Sequence, residues 1–158
     1  MHKKSLAFGF VATLLIILLV AVGTAAAQPT NFRANLSGGE EVPPVTTTAT
    51  GQAVFQLNSI GTELSFRLIV ANIDDVLAAH IHCAAKGVDG TVGVTLFSGG
   101  PSSVNGVLNE GTIAGPNTVN DCGWAILAEV IADMQSGDAY VNVHTLANLG
   151  GELRGQIR

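Results

Sequence analysis

The chain has 158 residues, of which 47% are hydrophobic and only 12% charged. That length fits one domain, and seven Lys and Arg against 12 Asp and Glu provide no basic stripe for neutralising phosphates, so nucleic acid is excluded as a partner. The longest apolar stretch lies within the first 27 residues and the rest alternates or breaks at Gly, Asn and Pro, which describes one globular domain behind an export signal.

Lys3 and Lys4 form a positive start, Leu6 to Val22 an apolar run, and Gly23-Thr24-Ala25-Ala26-Ala27 a small-residue stretch suited to a signal peptidase. The sequence therefore predicts a signal peptide over residues 1–27 and a mature domain over residues 28–158, secreted to the extracellular space or the periplasm. The 17 apolar residues also reach the lower limit for a bilayer-crossing anchor, but the small-residue run sits where cleavage belongs, leaving no membrane segment. Cleavage removes both lysines and leaves five basic against 12 acidic groups, a net charge of −7.

Short runs of period-two alternation follow, separated by Gly, Asn, Pro and Ser. Strands are predicted near Asn31 to Leu36, Gly51 to Leu57, Glu63 to Ala71, Ala79 to Cys83, Thr91 to Phe97, Gly111 to Ala114, Ala139 to His144 and Glu152 to Arg158. Between the first two, Glu40 to Thr48 reads as an extended loop, because consecutive prolines lock φ and withhold backbone donors. Before the seventh, Ile126, Leu127, Val130, Ile131 and Met134 recur at helical spacing, with Asn120 or Asp121 as a start and Gly137 as a stop. The fold class is all-β: a sandwich of about eight strands with one short α-helix.

Cys83 and Cys122 are the only cysteines, and an even count in an exported chain favours a disulfide. Two buried thiols, or a thiolate ligand beside His82, are the alternatives. In Ala79-His80-Ile81-His82-Cys83 the imidazoles are two residues apart on a strand and point to the same face. In Tyr140-Val141-Asn142-Val143-His144 the valines mark the core, so His144 projects with Tyr140 and Asn142. On the last strand Leu153 and Ile157 face the core, and Glu152, Arg154 and Gln156 the other side.

If these strands are neighbours, His80, His82 and His144 converge as three nitrogen ligands for one copper or zinc ion, with Glu152 orienting a ring from behind. The competing reading is a hydrogen-bonded polar cluster without metal. Arg154 could pair with Glu152 or flank an anion. The Gly87-Val88-Asp89-Gly90 and Leu149-Gly150-Gly151 segments read as tight turns whose glycines supply positive φ. No nucleophile elbow, phosphate-cradling loop, dinucleotide fingerprint or His-Glu-x-x-His helix is present, so catalysis has no motif and no catalytic residue is assigned. Asn35-Leu36-Ser37 is a formal glycosylation sequon.

Four segments together resemble the CHRD (chordin-type) domain family. They are Leu36-Ser37-Gly38-Gly39-Glu40-Glu41-Val42-Pro43-Pro44; Ala79-His80-Ile81-His82 followed by Gly87-Val88-Asp89-Gly90; Tyr140-Val141-Asn142-Val143-His144-Thr145; and Gly151-Glu152-Leu153-Arg154-Gly155-Gln156-Ile157. The resemblance covers about Asn31 to Arg158 and implies an extracellular, immunoglobulin-like Greek-key β-sandwich of the kind found singly in microbial secreted proteins. The cysteine-rich repeats associated with growth-factor binding in chordin are missing, so that activity does not transfer. Cys83 stands where many relatives have Gly, a departure that fits a bridge to Cys122. A fainter similarity is to copper-zinc superoxide dismutase, but the three histidines left after export cannot build its dinuclear site. Three functions are therefore expected in order: a non-enzymatic binding or structural module, a mononuclear copper or zinc protein with redox chemistry open to it, and a module that binds an extracellular protein or glycan through Glu40 to Thr48.

Overall fold

The computed structural model describes residues 30–158. The signal peptide expected over residues 1–27 lies outside the described residues. Among those described, no helix is long and apolar enough to cross a membrane.

The described residues form eight strands: β1 (Asn31–Ser37), β2 (Thr50–Leu57), β3 (Leu64–Ala71), β4 (Val76–Cys83), β5 (Thr91–Ser102), β6 (Gly106–Ile113), β7 (Ala139–Thr145) and β8 (Leu153–Gln156). Each predicted strand is present, with its ends moved by a few residues. Among the described residues a single α-helix, α1 (Leu127–Ser136), precedes β7, and a short 3-10 turn covers Gly38–Glu40. All pairings are antiparallel, in the order β5-β4-β7-β8-β1-β2-β3-β6.

The strands make one nearly closed series, its halves β5-β4-β7-β8 and β1-β2-β3-β6 joined in register at Ser37 and Arg154, so the expected all-β fold of eight strands with one short helix is present. At the seam, the side-chain amide of Asn109 on β6 donates to the Leu96 carbonyl of β5 at 2.6 Å. The sequence β7-β4-β5-β6 across that seam is a Greek key, with β7 returning to lie beside β4. Alternation gives each strand one apolar face, and the curled series buries those faces against one another.

Phe32, Phe55, Leu68, Ile81, Val94 and Val141 are among the side chains that fill the interior. Leu127, Val130, Ile131 and Met134 of α1 join the same cluster, which accounts for their helical spacing. Gly137 ends α1 in the left-handed region, at φ 81°. The start differs from the expectation. Asn120 binds the Asn117 and Trp124 carbonyls and the Trp124 N–H, holding a turn, while Glu129 reaches back to the N–H groups of Ala125 and Ile126 and opens the helix at Leu127. The bridge between Cys83 and Cys122 ties this turn to the end of β4.

β7 departs from simple alternation: Ala139 to Val143 are buried on both faces. Its inner face meets the core, and its outer face lies under the loops that build the candidate site.

Candidate metal centre

The parity of β4 is set by a bulge. The register shifts between Val76 and Ala78 against both neighbours, after which Ala79 and Ile81 turn inward and Ala78, His80 and His82 outward. Across the ladder to β7, Ala78 lies opposite His144, His80 opposite Asn142 and His82 opposite Tyr140. Ala78 is small, so the His144 ring can lean diagonally onto His80, with ring centroids 5.1 Å apart. His82 stacks on Tyr140 at 4.9 Å and 15° between planes.

The three predicted histidines are therefore brought together. One ring nitrogen from each lies within 4.8 Å of the others. Atoms so spaced share a centre no more than about 2.8 Å from each, so a contraction of under about 1 Å reaches a zinc–nitrogen bond length. His82 presents Nδ1 to the Gly90 carbonyl at 3.0 Å, and His144 presents Nδ1 to the Leu149 carbonyl at 3.0 Å. A carbonyl only accepts, so these contacts place the protons on Nδ1 and leave Nε2 of both rings as lone-pair donors. Those two Nε2 atoms, and Nδ1 of His80, are buried without a hydrogen-bond partner.

The electrostatics favour neutral rings. Burial, with the neighbouring imidazoles, lowers the His80 pKa to about 4, and burial lowers those of His82 and His144. The consequence is acid lability. Between the ordinary histidine pKa of 6.5 and about 4, the unfolded chain takes up protons that the native rings refuse. Stability present above pH 6.5 is lost as pH falls through that window, by about 2 to 3 kcal/mol from His80 alone. Glu41 works in the opposite direction. Burial raises its pKa to about 7, against the Asn142 hydrogen bond and Arg154, so stability falls as pH rises from 4.5 to 7. Three rings outweigh one carboxyl. Thermal denaturation is expected to show a midpoint that drops from pH 6.5 to 4.5, and a shallower drop in His80→Asn; parallel curves for the two proteins would contradict this.

Glu152 and Arg154 take other roles than those expected. Glu152 accepts from Thr47 and Thr145 hydroxyls at 2.7 Å each and from the Asn148 amide at 3.1 Å, and it touches no imidazole. Burial pushes its pKa up, yet these three donors together hold it below the ordinary carboxylate value. Ring orientation falls instead to the backbone carbonyls of Gly90 and Leu149. Arg154 is 2% exposed, lies flat 3.6 Å above the Tyr140 ring centre, and donates to Asp89 at 3.0 Å and the Val88 carbonyl at 2.6 Å. It pairs neither with Glu152 nor with an open anion position.

Sequence reading missed the residues that hold the trio in place. Tyr140 bridges His82 to Arg154, and its hydroxyl receives the Gly90 N–H at 3.0 Å. Gly87 and Gly151 do have the positive φ expected of them. Gly90 is glycine for another reason: a Cβ there would lie 2.1 Å from the Cys83 carbonyl oxygen. The Glu40 to Thr48 loop is folded back over β7. Glu41 is buried and accepts from the Asn142 amide at 2.6 Å, Thr47 meets Glu152, and Glu40 pairs with Lys86, leaving Val42, Pro43 and Pro44 exposed.

An all-antiparallel Greek-key β-fold with a histidine trio on its β4–β7 ladder defines the class of protein. The chain matches the family described as CHRD domain over residues 32–157, nearly its whole described length, and belongs to that family. No curated protein and no solved structure matches it.

Proposed function

We propose that this CHRD-domain protein is exported and holds one copper or zinc ion at the cell exterior through His80, His82 and His144, as a binding module without turnover of its own. The observation that carries the reading is the set of three buried ring nitrogens that lack any partner, two of them on rings whose other nitrogen is fixed by a backbone carbonyl. A buried polar atom left unpaired is costly, and a cation at the shared centre removes that cost for all three at once. An all-imidazole donor set suits copper and zinc better than hard cations, which take oxygen ligands. A bound ion would supply a Lewis-acidic centre, with redox chemistry if it is copper. Commitment of Arg154 to Asp89 and Val88 supports retention of metal over anion turnover, since that guanidinium is spent. The bridge between Cys83 and Cys122 supports export, because disulfides persist outside the cytosol.

The test uses untagged protein equilibrated with copper(II) or zinc(II), passed through gel filtration and analysed for metal. About one equivalent is expected, with a thermal midpoint raised by about 10 °C at a free metal concentration near 100 times Kd. Equal metal content in the His80→Ala/His82→Ala/His144→Ala variant removes the metal reading. Copper-dependent turnover of superoxide that disappears in His80→Ala or His144→Ala replaces the non-enzymatic one.

A further inference from the structure

Away from the histidines, the outer surface of β1, β2, β3 and β6 forms an open depression of about 760 Å³. A row of outward side chains crosses it at one register level: Arg33 on β1, Val54 on β2, Arg67 on β3 and Glu110 on β6. Arg158 extends the row on the other side. Its N–H and carbonyl exchange hydrogen bonds with those of Arg33 at 3.0 and 2.8 Å, so the two residues are directly opposed and project alike. The described chain carries five cations in all: Arg33, Arg67, Lys86, Arg154 and Arg158. Arg154 is buried on Asp89 and Lys86 is held by Glu40. The other three share this row, and among the described residues only Arg67 has an acidic partner, Glu110, which takes its Nε at 2.7 Å.

We infer that this face binds an anionic polysaccharide, its carboxylates or sulfates taken by the Arg33 and Arg67 guanidinium groups. Each guanidinium presents a planar fork of donors that matches an oxyanion. The arginines stand two strands apart, about 10 Å at the backbone, so successive charges along a polymer can be engaged together. Beside them, Asn31, Gln52, Gln56 and Ser65 line the same depression and offer both donors and acceptors, as ring hydroxyls require. A peptide is the weaker fit. β1, β2 and β3 each have a hydrogen-bonded neighbour on both sides and β6 alone of this face is terminal in the strand order, so a ligand lying across Arg33 and Arg67 must be read by side chains alone. The net charge of −7 on residues 30–158 disfavours duplex nucleic acid, whose charges are much denser than one per sugar.

Affinity electrophoresis of the full mature protein through gels containing polygalacturonate, neutral dextran or poly-glutamate tests the assignment. Retardation by polygalacturonate alone is expected, weakening as salt is raised. Arg33→Gln and Arg67→Gln, both exposed and foldable, should each lose affinity about fivefold, while Lys86→Gln on the opposite loop keeps it. Absence of retardation, equal retardation by dextran or by poly-glutamate, or unchanged affinity in both arginine variants overturns the proposal.

Discussion

Replacing Cys83 and Cys122 together by alanine lowers the unfolding free energy by about 4 kcal/mol. The bridge closes a segment 39 residues long, and the chain-entropy cost of that closure in the unfolded state is of this size. The effect is local as well as global. Cys83 is the residue after His82, and Cys122 anchors the turn in which Trp124 comes to rest against Gly93 of β5. Releasing the bridge frees that turn and the end of β4 together. Urea denaturation of the double variant is the measurement, expected to show a lower midpoint and a slightly larger m-value as the unfolded chain expands. A loss below about 1 kcal/mol would mean that β4 is held by its ladders to β5 and β7 and that the bridge is incidental.

Arg154→Met costs about 3 kcal/mol, the second large effect. Methionine fills much of the space left by the stem but leaves the Val88 carbonyl without its 2.6 Å donor and the Tyr140 face without its cation. Asp89 is 67% exposed and returns to water, which keeps the loss below that of breaking a wholly buried pair. Arg154→Lys should recover less than half, because an ammonium cannot lie flat on a ring and span both acceptors. With the 84–90 turn loosened, the Gly90 carbonyl loses its fixed place over His82, so the metal affinity proposed for the trio should fall along with stability. Chemical denaturation of Arg154→Met, Arg154→Lys and Asp89→Asn decides the point. A neutral Arg154→Met would show that the desolvation cost of the guanidinium cancels its contacts.

Much of this architecture was written in local patterns. Strict alternation in Leu64 to Val70 and the aliphatic spacing of α1 each demand one buried face, so strand and helix positions could be read without knowing their neighbours. Closure could not. Alternation states that a strand has an inside but not whether that inside meets a second sheet or its own curling continuation, and the order β5-β4-β7-β8-β1-β2-β3-β6 decided it. The start of α1 was misplaced for a related reason: Asn120 is a good cap by type, but the bridged turn around Cys122 uses its amide first.

For the candidate centre, period-two alternation is enough to tell which side chains share a face. His80 with His82, Tyr140 with Asn142 and His144, and Arg154 with Gln156 follow from the period of two in a strand. What each of them touches is a matter of packing between distant segments. The bulge at the start of β4 set which way the His80 and His82 face points, and the pairing of Ala78 with His144 let the third ring lean in. Partners were chosen by loops distant in sequence: Gly90 and Leu149 took the rings, Asp89 and Val88 took Arg154, and Glu152 went to two threonines and an asparagine. The reason is one of range. Backbone periodicity is a nearest-neighbour property written residue by residue, whereas hydrogen-bond partners in a closed fold depend on where separate turns meet, and that is fixed only when the whole chain has packed.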